Sequence, residues 1–303
     1  MFFRCTSSIF LSICLLLCAS HATVARAGTT LDRIKATGVV NVGFREAGVP
    51  FSYKSADNGT PIGYSIDICN ALIDAVRLQL KAPAVQVNYV AVTGSTRIPS
   101  IVDGKTDMEC ANTTNTKARR EQVAFSMPHY FAAAKLMVRA DSGIAKLDDM
   151  AGKVLVVNKG STSLLIAEAR KLRGLNLAKI IVVDNSPDGV KALEDKQADG
   201  YMNDDILLFG FKAQSKQALT VVGAGMSVEP LAVMFSKSDV ELNALIEREM
   251  SKLYLSGKMR DLYRKWFQSA LPQRNFNLNV TPNALTADMF SRPSTYTVDW
   301  VVL

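Results

Sequence analysis

The stretch Glu109-Cys110-Ala111-Asn112-Thr113-Thr114-Asn115-Thr116-Lys117-Ala118-Arg119 decides how the chain is read. A strand-like run opening after Gly104 feeds into it, and a charged, helix-like segment over 117–122 leaves it. A strand that breaks into a row of hydroxyl and amide side chains and then starts a helix is a place for an anion. The first N–H groups of a helix lack partners and carry partial positive charge. Arg119 adds a planar fork suited to a carboxylate. Read alone, the same residues also describe a capped helix with a surface arginine, because Ser, Thr and Asn cap helices generally. The flanking chain separates the two readings.

Upstream, residues 31–35 read as a short helix closed by Gly38, and residues 39–44 as a buried strand with Arg45 at its C-terminal end. Ile66, Cys69, Ile73, Val76 and Leu80 recur at three- and four-residue spacing, which predicts an amphipathic helix with Ser65 as its cap. Residues 85–92 alternate as a strand. Ser95 or Thr96 then caps a helix that carries Arg97 and ends at Gly104, and 106–111 is the next strand. This βαβαβ order implies parallel strands with helices on the faces. Ligands of such open sheets sit beyond the strands' C-terminal ends, where Arg45, Arg97 and the 112–116 loop all fall.

Downstream the pattern repeats. Residues 153–158 form a strand, and Gly160-Ser161-Thr162-Ser163 turns into a helix reaching about residue 171. A strand over 179–184 precedes Ser186-Pro187, a capping hydroxyl followed by Pro at the first helical position. A third strand over 199–202 runs to Asp204-Asp205. Strands over 219–223 and 230–236, helices over 240–255 and 259–267, and an extended Asn- and Thr-rich tail from Pro272 complete the reading. Two similar α/β halves, joined by runs at 134–139 and 229–237, imply two lobes and a crossing hinge. Lobe 1 comprises 28–133 and 231–303, and lobe 2 comprises 134–230. One continuous doubly wound domain is the alternative.

Composition narrows the function classes. A charged start, an apolar run over 9–19 and Ala25-Arg26-Ala27 describe a secretory signal peptide over 1–27. Its apolar run is too short to span a bilayer comfortably, and Leu17 is too bulky before Cys18 for a lipid-anchored cysteine. The expected location is therefore the periplasm. Removing Arg4 and Arg26 lowers the 35 basic residues to 33 against 28 acidic ones, a weak preference for anions. The basic residues are scattered without aromatic interleaving, so no nucleic-acid partner is expected. Cys69 and Cys110 remain after cleavage, and their spacing leaves open whether they pair or stay as buried thiols.

No catalytic constellation, metal site or cofactor site is expected. The one histidine beyond the signal segment, His129, lies in the aromatic stretch 125–131. No Ser-His-Asp or Cys-His pair and no Cys/His cluster accompanies it. Gly223-Ala224-Gly225 lacks the third glycine and the following helix of a dinucleotide turn. A cleft between the halves would instead collect Arg45, Arg97 and Arg119 from the first, and Thr162 and Asp204 from the second. For an amino-acid ligand, Arg119 with Thr114 and Thr162 would meet the α-carboxylate and Asp204 the α-ammonium, since burying either charge unpaired is costly. Arg45 and Arg97 would then be left for a second carboxylate.

The segments Val42-Gly43-Phe44-Arg45-Glu46, Val49-Pro50-Phe51-Ser52-Tyr53, Gly63-Tyr64-Ser65, Arg97-Ile98-Pro99, Glu109-Cys110 with Thr113-Thr114-Asn115, Met202-Asn203-Asp204-Asp205 and Lys265-Trp266-Phe267 together resemble bacterial periplasmic solute-binding proteins for polar amino acids. Among these the resemblance is to the glutamate/aspartate-binding component of an ABC importer, and it covers nearly the whole chain after residue 27. It implies a type II periplasmic-binding-protein fold: two α/β lobes, each a doubly wound, mainly parallel sheet, closing around a two-strand hinge. It implies a membrane permease with its ATPase as partners. It also implies ligand contacts at Arg45, Arg97, Asn112, Thr114, Arg119, Thr162, Ser186 and Asp204, with Arg45 and Arg97 on the side-chain carboxylate. Gly94 and Asn112 stand where that family carries Ser, Ser186 where it carries His, and Val233 where it carries the partner of the cysteine matching Cys110. Another dicarboxylic or polar amino acid is the alternative ligand. A cyclohexadienyl-dehydratase-like enzyme is the alternative activity, and a soluble partner of a membrane sensor a third reading.

Overall fold

A computed structural model describes residues 29–274 and 276–295; the segment read as a signal peptide lies outside them. The chain forms two five-stranded sheets, one in each lobe. The first runs Gln86–Ala91, Val39–Phe44, Met108–Glu109, Met234–Ser236, Val123–Phe125. Its first three members are parallel, as helices Tyr64–Leu80 and Arg97–Val102 require by crossing between them. Met234–Ser236 returns antiparallel from the far end of the chain. The second sheet runs Lys179–Val183, Val154–Asn158, Gly200–Asp204, Ala134–Arg139, Leu219–Val222. Again the three strands of the βαβαβ unit are parallel; Ala134–Arg139 pairs antiparallel with Gly200–Asp204, and Leu219–Val222 pairs antiparallel with Ala134–Arg139.

The lobes are joined by a separate two-stranded ribbon in which Tyr130–Ala132 pairs with Glu229–Leu231. The sequence reading placed the crossing at 134–139 and 229–237 as single runs. In the structure Ala134–Arg139 lies wholly inside the second sheet, the hinge strand being Tyr130–Ala132 just before it, and the run over 230–236 breaks between Leu231 and Met234. The break lets one half pair across the hinge and the other join the first sheet.

The C-terminal helices Val240–Leu255 and Lys258–Phe267 return to the first lobe and pack on Tyr64–Leu80. Their anchor is aromatic. Tyr64, Phe51, Tyr130, Tyr263 and Phe267 meet at centroid distances of 4.3–6.4 Å, within the range of stacked and edge-to-face pairs. Asp67 Oδ2 accepts from both Trp266 Nε1 and Lys265 Nζ at 2.7 Å. The tail is not wholly extended: Ala284–Met289 is a short helix capped by Asn283. Asn283 Nδ2 also donates to the Phe131 carbonyl on the hinge ribbon.

Cys69 and Cys110 are bridged, with 6.2 Å between Cα atoms. The bond joins the helix Tyr64–Leu80 to the strand end that leads into the 112–116 loop. Two sequence-predicted caps are corrected. Gly63 precedes the helix at Tyr64 with φ of 145°, and its backbone lies so close to Phe51 O that a Cβ would fall 2.1 Å away. Ser65 is thus inside the helix, and its hydroxyl donates to Ala111 O at 2.7 Å. Asn185, not Ser186, is the N-cap of helix Ser186–Glu194. Among the described residues no helix is long and apolar enough to cross a membrane.

Candidate functional site

Every chemistry-bearing loop follows the C-terminal end of a parallel strand, and these ends face one another between the lobes. A cavity there is lined by Arg45, Arg97, Asn112 and Thr114 from the first lobe and by Thr162, Ser186 and Asp204 from the second. Seven of the eight residues singled out in the sequence thus meet at one surface. Arg119 stands outside the lining, buried beside it. Its two terminal nitrogens donate to Thr114 O at 2.9 Å and to Gly160 O at 3.0 Å.

The Gly160 carbonyl belongs to the second lobe, so this contact bridges the cleft. Arg97 joins it more weakly, with Nη2 at 3.4 Å, while its Nη1 donates to Thr113 Oγ1 at 2.8 Å. The lobes touch backbone to backbone at the same place. A Cβ at Gly94 would lie 2.4 Å from Lys159 O, and one at Gly160, which has φ of 69°, would lie 2.5 Å from Gly94 O. Only glycine fits either position with the cleft in this state.

The second lobe presents two helix starts to the cleft. Thr162 opens helix Thr162–Leu172, whose cap Ser161 accepts from Leu164 N at 3.1 Å. Ser186 opens helix Ser186–Glu194, and its hydroxyl reaches Asn158 Oδ1 at 3.5 Å. In the first lobe the expected row of free N–H groups is partly spent. Helix Lys117–Arg120 is a single turn, Arg119 N donates to Thr116 Oγ1, and Asn115 N donates to Pro230 O on the hinge strand. That loop positions the arginines and threonines and ties them to the hinge.

Electrostatically the cleft is a cluster of opposed charges, buried at Arg97, Arg119, Glu109, Asp204 and Glu229 and half-buried at Arg45. Burial, then the neighbouring Arg97, pushes the Arg119 guanidinium down to about 9, and the same causes bring Arg45 to about 10; both stay cationic at neutral pH. Asp204 sits under the opposite pressure. Burial first, then the nearby Glu229 carboxylate, raises it to about 7, against the donation of Asn112 Nδ2 to its Oδ2 at 3.0 Å. Because Asn112 and Asp204 come from different lobes, this bond also crosses the cleft.

The sequence reading missed three participants. Asn158, at the end of strand Val154–Asn158, lines the cavity. Its Oδ1 accepts from Tyr201 Oη and Asn203 Nδ2, while its buried Nδ2 has no partner among the described residues. The strand-end rule that found Arg45 would have found it. Glu109 and Glu229 are buried carboxylates whose charges act on Arg97, Arg45 and Arg119. Glu109 fits because Gly43 leaves room beside its Cβ and Cγ. No short-range sequence signal announces either, since both depend on strands paired from distant segments. Their presence narrows the charge argument. Arg97 and Arg119 already have acceptors and buried counter-charges. The Arg45 guanidinium has no hydrogen-bond or ion-pair partner among the described residues; only its backbone is held, by Ser52 Oγ.

His129 is a core residue. It is buried against Phe51 and Tyr64, and burial drives it down to about 3, so it is neutral. Among the described residues no group of acidic, His or Cys side chains could hold a metal ion.

Comparison with known proteins returns one family model, Bacterial extracellular solute-binding proteins, family 3, matching residues 40–269. The chain is 35% identical over 270 residues to the L-glutamate/L-aspartate-binding protein of Pseudomonas aeruginosa, covering 88% of each chain. It is 32% identical over 271 residues to the glutamate/aspartate import solute-binding protein of Escherichia coli, covering 88% of this chain and 89% of that one. Among solved structures, the cysteine-binding protein from Campylobacter jejuni shares 28% identity with a TM-score of 0.69, over 79% of this chain and 93% of that one. A mutant of ArgBP from T. maritima shares 27% with a TM-score of 0.70, over 79% and 99%. The C. jejuni protein is a cysteine-binding protein, so the shared fold by itself does not select the ligand.

Proposed function

We infer that this chain, which belongs to the bacterial extracellular solute-binding proteins of family 3, captures an acidic amino acid, glutamate or aspartate, between its lobes and delivers it to the permease of an ABC importer. Relatives named for glutamate/aspartate binding or import support the ligand class, and those relatives are binding proteins rather than enzymes. The observation that carries the acidic reading is Arg45: a guanidinium at the cavity wall without an acceptor of its own. A neutral amide side chain could accept a hydrogen bond from it but would leave its charge uncompensated in the closed cleft, whereas a distal carboxylate does both.

In this reading Asp204 takes the α-ammonium, and Arg119, with Thr114 and Thr162, takes the α-carboxylate in place of the Gly160 carbonyl. Arg97 shares the distal carboxylate with Arg45, and Asn112 and Ser186 add polar contacts. Contacts from both lobes favour the closed state, and closure on the hinge ribbon is the signal that the permease reads. The first lobe comprises 28–133 and 231–303, the second 134–230, and residues 1–27 direct export to the periplasm.

Titration of the Arg45→Met protein tests the assignment. Glutamate should bind about ten- to a hundredfold more weakly, the range for losing a hydrogen-bonded charged contact, with glutamine changed less than about threefold. Equal losses for both ligands would remove Arg45 from the side-chain role.

A further inference from the structure

The cleft does not end at Arg45 and Ser186. Both residues also line a second cavity of about 280 Å³, whose other walls include Ala91, Thr93, Asn185 and Asp188. The first cavity alone measures about 30 Å³ in this closed state, on the order of a water or two. Arg45 and Ser186 form the wall that the two share. Ser186 offers only a hydroxymethyl group, and Arg45 is a long side chain whose head has no acceptor among the described residues. On the far side, helix Ser186–Glu194 begins at Asn185, which makes no side-chain cap bond. Pro187 supplies no N–H, so the first-turn donors left without a side-chain cap are those of the neighbouring residues Ser186 and Asp188. The carboxylates of Glu46 and Asp188 stand at the exposed outer rim, so an anionic chain end is stopped near Arg45 rather than drawn out to solvent.

We propose that the second cavity is a side-chain subsite, and that the protein binds α-amino dicarboxylic acids longer than glutamate, their distal carboxylate meeting Arg45 from the side of the second cavity. The proposal rests on the acidic-ligand reading above. Its probes are L-glutamate and L-2-aminoadipate, titrated calorimetrically into the refolded protein and into an Ala91→Leu variant. Ala91 is exposed at the end of strand Gln86–Ala91 and lines the second cavity but not the first, so leucine there fills the subsite while leaving the first cavity alone.

The expected result is 2-aminoadipate affinity within tenfold of glutamate, falling at least tenfold in Ala91→Leu while glutamate changes less than twofold. Glutamate binding with 2-aminoadipate more than a hundredfold weaker would overturn the subsite and leave the acidic reading intact. Tight 2-aminoadipate binding that is indifferent to Ala91→Leu would overturn its placement. Binding of neither probe would overturn the acidic reading and the subsite together.

Discussion

Ligand capture should release a proton, and the amount follows from Asp204. In the empty cleft burial and Glu229 hold this carboxyl at about 7. A ligand ammonium brings an opposite charge into contact, which favours the ionised form. At pH 7 about half the empty protein carries the proton, so binding should release about 0.5 proton; at pH 8.5 the release should fall to about 0.03. Between pH 8 and pH 6 the ionised fraction drops from about 0.9 to about 0.1, and affinity should weaken about tenfold. The neutral, buried His129 does not titrate in this window, and an amino acid's ammonium is fully protonated there. Titration calorimetry at pH 7 in two buffers of different ionisation enthalpy measures the release directly. The same shift has a stability sign. A carboxyl raised above its ordinary 3.8 holds its proton more tightly folded than unfolded. The empty protein should therefore lose stability as pH rises from about 4 to 7, and ligand should reverse that loss. Buffer-independent heats at pH 7, or equal affinity at pH 6 and pH 8, would refute the pairing of Asp204 with the ammonium.

Two further outcomes follow from the cleft and its support. Gly94→Ala places a Cβ 2.4 Å from Lys159 O, so the loops must part by roughly 1 Å to reach ordinary contact, which pulls apart the two faces that a bound ligand must bridge by hydrogen bonds. Losing one charge-assisted hydrogen bond is worth about 1.5–3 kcal/mol, so affinity should fall roughly ten- to a hundredfold with a more open solution-scattering profile; unchanged affinity and scattering would contradict it. Cys69→Ser removes a cross-link spanning 41 residues, worth about 4 kcal/mol by chain entropy. Tm should drop by roughly 10 °C. Two alkylatable thiols in the unreduced, denatured wild-type protein would contradict the bridge itself.

Most of the architecture was legible because hydrophobic periodicity and helix-crossed parallel strands are local signals. The two βαβαβ units, the strand-end positions of Arg45, Thr162 and Asp204, and the return of the C-terminal helices could all be read from spacing. What could not be read depends on segments far apart in sequence. The hinge ribbon pairs Ala132 with Glu229, and no local pattern marks that the hinge strand precedes residue 134 or that the 229–237 run divides. Ser65 and Ser186 looked like caps because a hydroxyl before an amphipathic run usually is one, but Gly63 and Asn185 take those positions. Glu109 and Glu229 were invisible as site members because their charge matters only once sheet pairing buries them beside the arginines. Gly94 read simply as a departure from the resembling family until the structure showed Lys159 O where a side chain would stand.

The most direct test of the acidic-ligand reading is calorimetric titration of the unfolded and refolded wild-type protein with L-glutamate, L-aspartate and L-glutamine. One-to-one binding of an acidic ligand is expected, with glutamine weaker by at least tenfold, because only a second carboxylate compensates the charge of Arg45. Glutamine binding as tightly as either acid, or no heat from glutamate and aspartate, would contradict it.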